Sequence, residues 1–277
     1  MKNQVVTPNP TVVYSSMWTK LKAHVGDYAP QTLVTDMEVA SGSSMRDAFG
    51  EAVHMQYCYF HLRKCLREHI GEVHALAELS EPAFYNLYRM VISLPFIPAG
   101  NLVQVRVSQG PWVSQVVEGV LEPAMESAEG SISAAAMSFL NYFVDTYVGR
   151  MKRNGGRYAP KVKPGNWSQF DSVMEGHPHT TNSVEAWNRV FNNTNPHTKS
   201  MWTTVNNFRR KEEMARTKWR QLILARDHEE QADLVGARQK AVRKKLEALR
   251  RVMVQYYEFE GHEGVSEYLK LISAILS

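Results

Sequence analysis

Two short apolar segments near the start of the chain constrain its fold most strongly. Residues 33–36 form an apolar run that ends in Asp36, and residues 53–59 are rich in β-branched and aromatic side chains. A helical pattern that opens at Ser41 or Ser43 lies between them, and another covers residues 61–70. This β-α-β-α order with short links predicts two parallel strands joined by a helix.

Helical spacing of apolar residues dominates the rest of the chain. The helical stretches are 14–25, 72–150, 181–192 and most of the sequence after residue 199. The sequence therefore predicts a mostly α fold with a small parallel β element. A sheet of two strands has two exposed edges, so the pattern indicates either a helical protein with minor β content or part of a larger α/β domain.

Composition limits the class of protein. Of the 277 residues, 44% are hydrophobic, which is ordinary for a globular protein of one or two domains. The net charge of +4 is compatible with nucleic acid without demanding it. Two cysteines, Cys58 and Cys65, do not make a disulfide framework, so an intracellular, reducing compartment is expected. The N-terminus lacks a signal-peptide pattern, and no apolar run is long enough to predict a membrane span.

Two carboxylates stand at positions typical of a metal site. Asp36 ends the first predicted strand, where α/β sheets place ligands, and Glu185 lies one turn into a helix. Carboxylates around Mg²⁺ are the arrangement that phosphodiester cleavage requires. Each residue also has a purely structural interpretation. Asp36 can end the strand or cap the next helix, and Glu185 can complete a capping box with Asn182.

A cysteine and a histidine follow the second predicted strand with metal-ligand spacing. Cys58-x-x-His61 is a pair that zinc takes, but zinc needs four ligands, and His177 and His179 are the best distant candidates for the others. The alternative is a buried cysteine beside a hydrogen-bonded histidine. The motif therefore predicts half of a zinc site at most.

A basic tract near the C-terminus is a candidate DNA-binding surface. It consists of Arg238, Lys240, Arg243, Lys244, Lys245, Arg250 and Arg251. On a helix these cations can contact phosphates, or they can form an ordinary solvated face. Four tryptophans could in principle stack on bases, although core positions are favoured for most of them. They are Trp167, Trp187, Trp202 and Trp219.

Taken together, these segments resemble the Mutator-like element (MULE) transposases. The similar blocks, in chain order, are residues 35–40, 56–62, 142–149, 166–167, 181–187 and 267–269. The first two are similar to the family's second catalytic-aspartate block and its C-x-x-H block. The next three resemble its tyrosine–glycine, tryptophan and catalytic-glutamate blocks, and the last resembles a C-terminal segment. Order and spacing agree from about residue 14 to residue 275.

The resemblance implies a partial ribonuclease H-like α/β core that keeps two late strands, with a helical insertion and a helical C-terminal region. The implied divisions are 1–71 for the partial core, 72–178 for the insertion, 179–199 for the catalytic-glutamate helix and 200–277 for the C-terminal region. The implied chemistry is DDE-type DNA cleavage and strand transfer with Mg²⁺ held by Asp36 and Glu185. DNA is the implied partner and a nuclear location is expected. Whether the chain forms a homo-oligomer is left open.

The sequence also departs from the family pattern. The family's first catalytic aspartate lies on an earlier strand, and Asp27 is no substitute because it falls in a predicted loop. His179 stands where arginine is common, and Asn188 where histidine is common. The expectation is a truncated or remnant transposase that is inactive alone. The alternatives are an active transposase with a mis-assigned start or a completing partner chain, and a non-catalytic DNA-binding or interaction protein derived from a transposase.

Overall fold

The computed structural model describes residues 9–99, 113–154, 157–177, 182–194, 200–226 and 237–276. The chain forms two compact units. The first unit comprises Met1–Thr181 and Leu249–Ser277, and the second comprises Asn182–Ala248. The predicted core strands and the predicted helical insertion therefore belong to one compact unit.

A small parallel sheet lies near the start of the first unit. Strand β1 (Thr32–Thr35) pairs with β2 (His54–Tyr57), with Thr32 opposite His54 and Thr35 opposite Tyr57. Helix α1 (Pro10–Val25) precedes β1 in the chain, α2 (Val39–Phe49) lies between the two strands, and α3 (Tyr59–Glu72) follows β2. Helix α2 connects the two strands, which confirms the predicted pair of parallel strands joined by a helix.

Most of the other described residues of the first unit are helical. The helices are α4 (Pro82–Ser93), α5 (Val113–Val116), α6 (Glu122–Ala128), α7 (Ala134–Phe143), α8 (Pro164–Trp167), α9 (Phe170–Glu175) and, near the C-terminus, α13 (Gly261–Leu276). Single π-helical turns, Val117–Leu121 and Val144–Val148, follow α5 and α7. Helix α13 packs on α4, and the buried Tyr268 hydroxyl donates a 2.6 Å hydrogen bond to the Phe96 carbonyl. Over the described residues, apolar spacing thus predicted the helical core correctly, whereas residues 100–112 of the predicted stretch 72–150 lie outside them.

A buried polar network joins β2 to the segment around α8 and α9. The Gln56 side-chain nitrogen donates to the Gln169 side-chain oxygen at 2.8 Å and to the Ser168 carbonyl at 3.2 Å. The Gln56 side-chain oxygen accepts from the Ser172 hydroxyl at 2.6 Å. Gln169 donates in turn to the Tyr57 carbonyl at 2.8 Å. The network thereby ties β2 to this segment, and one of its bonds reaches the β2 backbone at the Tyr57 carbonyl.

The second unit is helical. It contains α10 (Asn182–Thr194), α11 (Met201–Arg226) and most of α12 (Ala237–Val254). Phe191 and Phe208 join α10 to α11 with their ring centroids 4.5 Å apart. Within the described ranges, none of the helices combines the length and the apolar character that a membrane span needs.

The tryptophans divide between core and surface. Trp167 is fully buried, but Trp202 and Trp219 on α11 are 69% and 65% exposed. The expectation that most tryptophans are core residues is therefore wrong for these two. In the long helix α11, charged and apolar residues are interspersed along the sequence. Some of its apolar side chains, these two tryptophans included, are therefore exposed.

Candidate metal and nucleic-acid sites

Asp36 lies at the carboxyl edge of the sheet, directly after β1. Its Oδ1 accepts hydrogen bonds from the Thr35 hydroxyl and from the Glu38 backbone N–H, both at 3.3 Å. These bonds close the turn between β1 and α2, which is the structural role that the sequence left open. The Asp36 side chain is nevertheless exposed, so carboxylate oxygens remain accessible to a ligand.

Glu38 adds a second carboxylate beside this edge, although no motif in the sequence singled it out. The Tyr14 hydroxyl donates a 2.6 Å hydrogen bond to Glu38 Oε2. This bond is the main reason that the pKa of Tyr14 is raised, and burial and the charges of Glu38 and Asp36 contribute further. The Asp-x-Glu spacing directly after a strand was the signal that could have identified Glu38.

The field of Asp36 reaches side chains on β2 and α3. Burial raises the pKa of the Tyr57 phenol, the charge of Arg46 opposes this rise, and Asp36 adds to it by a smaller amount. Burial also raises the pKa of the Cys65 thiol, with Glu68 and, more weakly, Asp36 adding to the shift and Lys64 opposing it. Asp36 therefore acts on both groups, but Arg46 and Lys64 oppose it there.

Glu185 lies in the first turn of α10 and is half-buried. Asp36 and Glu185 belong to different compact units, so their sharing of one ion remains a prediction. Across the residues that the structure describes, no group of three or more His, Cys, Asp or Glu is arranged to hold a metal ion.

The residues proposed for zinc lie at different ends of the sheet. Cys58 follows β2 directly and is buried at the start of α3, with His61 in the first turn of that helix. His177 instead borders a cavity together with the first residues of both strands, Thr32 and His54. The length of β2, roughly 13 Å at about 3.3 Å per residue, thus separates His177 from Cys58. His179 falls outside the described residues, so zinc binding by Cys58 and His61 with His179 stays a prediction.

The cavity beside His177 holds a cluster of ionisable groups that the motifs did not indicate. Its volume is about 340 Å³, and it is lined by Thr32, His54, Asp171, Ser172, Met174, Glu175 and His177. Burial lowers the pKa of His54, against the opposing charge of Asp171. Burial raises the pKa of Asp171, and Glu175 adds to that rise. His177 Nδ1 lies 3.2 Å from a Glu175 carboxylate oxygen.

The cations of the basic tract do not all face solvent. Lys240, Arg243, Lys244, Lys245 and Arg251 are exposed on α12. Arg243 also pairs with Glu247 of the same helix at 3.0 Å. The side chain of Arg238 is not among those that the structure describes.

Arg250 has a different environment from the rest of the tract. It is half-buried, and its guanidinium donates to two backbone carbonyls of α9, from Nε to Val173 at 2.5 Å and from Nη2 to Met174 at 3.4 Å. These carbonyls belong to the last turn of α9, where a cation is favourable. Arg250 therefore caps α9, and its predicted contact with DNA stays untested.

The chain matches no protein-family model, no curated protein and no solved structure. Its function must therefore be inferred from its own residues and their geometry.

Proposed function

We propose that this chain is a protein of the Mutator-like transposase type that supplies Asp36 and Glu185 to a DDE-type Mg²⁺ site acting on DNA. One observation carries the proposal. Asp36 presents an exposed carboxylate directly after β1, at the carboxyl edge of a parallel strand pair. Ligands of α/β sheets bind at this edge. The chain order of Asp36, Cys58-x-x-His61 and Glu185 supports the same assignment.

The chemistry of the donor set fits the ion. Carboxylate oxygens are the ligands that Mg²⁺ prefers, and Glu38 offers a further one next to Asp36. Asp36 and Glu185 would hold the ion, which would supply activation of the attacking oxygen and stabilisation of the leaving oxygen of a phosphodiester. The protein's own part is to hold these carboxylates at the sheet edge. The Asp36 turn does so, because its hydrogen bonds to Thr35 and Glu38 fix the backbone around the carboxylate.

These 277 residues are proposed to be inactive on their own. Among the described residues, Asp36 is the aspartate that follows a strand, whereas Asp27 lies in the turn after α1. By the resemblance, a DDE-type site also needs an aspartate on an earlier strand, and Glu38 does not replace it because it follows the same strand as Asp36. Another segment or chain would supply that aspartate. On this proposal β1 and β2 are two strands of a ribonuclease H-like sheet.

Metal binding and DNA nicking test the proposal together. Mn²⁺, observed by electron paramagnetic resonance, replaces Mg²⁺ as the probe. We expect Asp36→Asn to weaken Mn²⁺ binding and the control Asp27→Asn, in an exposed turn, to leave it unchanged. Supercoiled plasmid incubated with the chain and Mg²⁺ should stay intact. Equal Mn²⁺ binding by all three proteins would remove Asp36 from the site. Plasmid nicking that Asp36→Asn abolishes would show a complete site and contradict the proposed inactivity.

The exposed cations of α12 favour a second candidate function, a non-catalytic DNA-binding protein. Lys240, Lys244 and Lys245 are open to solvent on one helix. The affinity that such phosphate contacts supply falls as the salt concentration rises and depends little on base sequence. This function needs no metal, so DNA binding that persists in Asp36→Asn and in a chelator would support it without deciding the first proposal.

A further inference from the structure

A groove in the first unit has a chemistry unlike that of the rest of the chain. Two cavities of about 430 and 580 Å³ lie against α6, α7 and residues 150–151. They share four lining residues, which are Glu129, Met137, Asn141 and Arg150. The two cavities therefore adjoin one another, and together they are named the acidic groove below.

Carboxylates dominate the charged lining of the acidic groove. They are Glu122, Glu126, Glu129 and Asp145. Arg150 is the cation among the lining residues, and both its Nε and Nη2 already bind the Asp145 carboxylate, at 2.5 and 2.6 Å. Glu126 and Glu129 are exposed and take part in no ion pair within the described part of the chain. Glu122 pairs with Arg157 at 3.1 Å, so the negative charge of the groove comes from Glu126 and Glu129, on a chain whose net charge is +4.

The apolar lining of the acidic groove is rich in methionine. Met125 is buried at its base, Met137 is half-buried, and Met151 is 47% exposed. Methionine side chains are unbranched and polarisable, so they adapt to apolar partners of different shapes. Methionines between carboxylates offer an apolar surface and a negative rim to the same ligand.

Charge and lining together identify the kind of ligand. Nucleic acid and other polyanions would be repelled by Glu126 and Glu129. A purely apolar partner would leave these carboxylates without a counter-charge at the contact. An amphipathic helix with lysine or arginine along one side satisfies both parts, because its apolar face meets the methionines and its cations meet the rim.

We propose that the acidic groove is a docking site for a basic amphipathic helix of a partner protein. The apolar face of that helix contacts Met137 and Met151, and its cations pair with Glu126 and Glu129. This site is separate from Asp36 and does not depend on metal or DNA chemistry.

A labelled synthetic peptide tests the docking site on the full chain. The probe is a helical peptide of lysine and leucine with leucine at i, i+3, i+4 and i+7, and binding is followed by fluorescence anisotropy. Glu126→Gln combined with Glu129→Gln should weaken binding by on the order of tenfold, because two charge contacts are lost. Glu51→Gln combined with Glu260→Gln removes the same charge from exposed positions elsewhere in the unit and should leave binding unchanged.

Two further measurements separate specific docking from simple charge attraction. A peptide of the same composition with its leucines scrambled should bind much more weakly, and Met137→Ser with Met151→Ser should weaken the original peptide. Equal binding of both peptides, or equal losses in the Glu51/Glu260 control, would overturn the proposal. Self-association of the chain that competes with the peptide and is lost in the Glu126/Glu129 variant would also overturn it, because a second copy would then be the occupant.

Discussion

At the scale of single residues, Gln56 determines how the sheet meets the helical layer. Its amide is completely buried and makes hydrogen bonds to Ser168, Gln169 and Ser172. Buried polar groups are tolerated when they are fully paired, so each member of this network depends on the others. Through Gln56, the four-residue strand β2 is therefore hydrogen-bonded to residues that lie far from it in the sequence.

Replacing Gln56 by alanine should destabilise the protein strongly. The change removes three hydrogen bonds, leaves buried partners unpaired and opens a cavity, so we expect a loss of roughly 2–4 kcal/mol in the free energy of unfolding. Urea denaturation measures it. Gln255→Ala, at an exposed position, is the matched control and should cost little. A Gln56→Ala protein as stable as the control would mean that the network contributes nothing.

His54 should make stability depend on pH. Its pKa is lowered, chiefly by burial, although Asp171 and Glu175 oppose this and Arg46 and His177 reinforce it. A lowered pKa in the folded state means that stability is present above the ordinary histidine value and is lost as pH falls through the folded pKa. His54→Gln removes the titrating imidazole, and with it this loss of stability, and keeps the four neighbouring charged groups. The stability advantage of wild type over His54→Gln should therefore shrink from about pH 7.5 to about pH 5.5.

Denaturant titrations of both proteins at each pH measure this difference. His24→Gln, at the exposed end of α1, is the control for the loss of a histidine without burial. A difference between wild type and His54→Gln that stays constant or grows on acidification contradicts the assigned direction of the His54 shift.

At the scale of elements, α12 carries cations with two different roles. Arg243, Lys244 and Lys245 are exposed, and Arg243 pairs with Glu247, whereas Arg250 caps α9. Helical periodicity places all four on one element but does not show which of them meets another helix. Separate variants can therefore distinguish DNA contact from helix packing.

The solvent-facing cations should control DNA binding. Replacing Arg243, Lys244 and Lys245 by glutamine should reduce the slope of log affinity against log salt on random duplex by roughly 2.7, at about 0.9 per phosphate contact. Folding stability should hardly change, since all three side chains are exposed. The control replaces Lys152, Arg153 and Lys161, which are exposed cations outside the tract. Equal slopes for both triple variants would leave α12 with only a solvated face.

Arg250→Gln should have the opposite profile. The variant loses a charged donor to the Val173 and Met174 carbonyls, so we expect a loss of roughly 1–3 kcal/mol of stability and an unchanged salt slope for DNA. Thermal melting and the same salt titration measure the two effects. A stable Arg250→Gln protein with weaker DNA binding would move Arg250 back to the DNA-contacting surface.

At the scale of the whole molecule, local patterns predicted the order of elements well. Alternating segments at 33–36, 41–49 and 53–59 correctly indicated β1, α2 and β2, because strand and helix periodicities differ strongly. The boundaries shifted: α3 begins at Tyr59, inside the segment predicted as a strand. The aromatic residues there favour a strand locally, but the packing of Tyr59 and Leu62 into the core favours a helix.

Contacts between distant parts of the chain could not be predicted in this way. Gln56 and Gln169 meet only because the fold brings them together, and neither position has a local pattern that indicates it. The same is true of the Arg250 cap and of the cavity beside His54. The position of Asp36 was predictable, because a strand end is a local feature, whereas the role of Glu38 required the turn that Asp36 forms.

Asp36 and Glu185, far apart in sequence, are proposed to hold one divalent ion. Iron(II) bound in place of Mg²⁺ tests this proposal, because with ascorbate and peroxide it generates hydroxyl radicals that cut the polypeptide next to the ion. We expect two sets of cuts, around Asp36 and around Glu185, and expect Asp36→Asn to abolish both while Asp27→Asn abolishes neither. Cuts near Asp36 alone, or cuts near Glu185 that survive Asp36→Asn, would contradict a shared site.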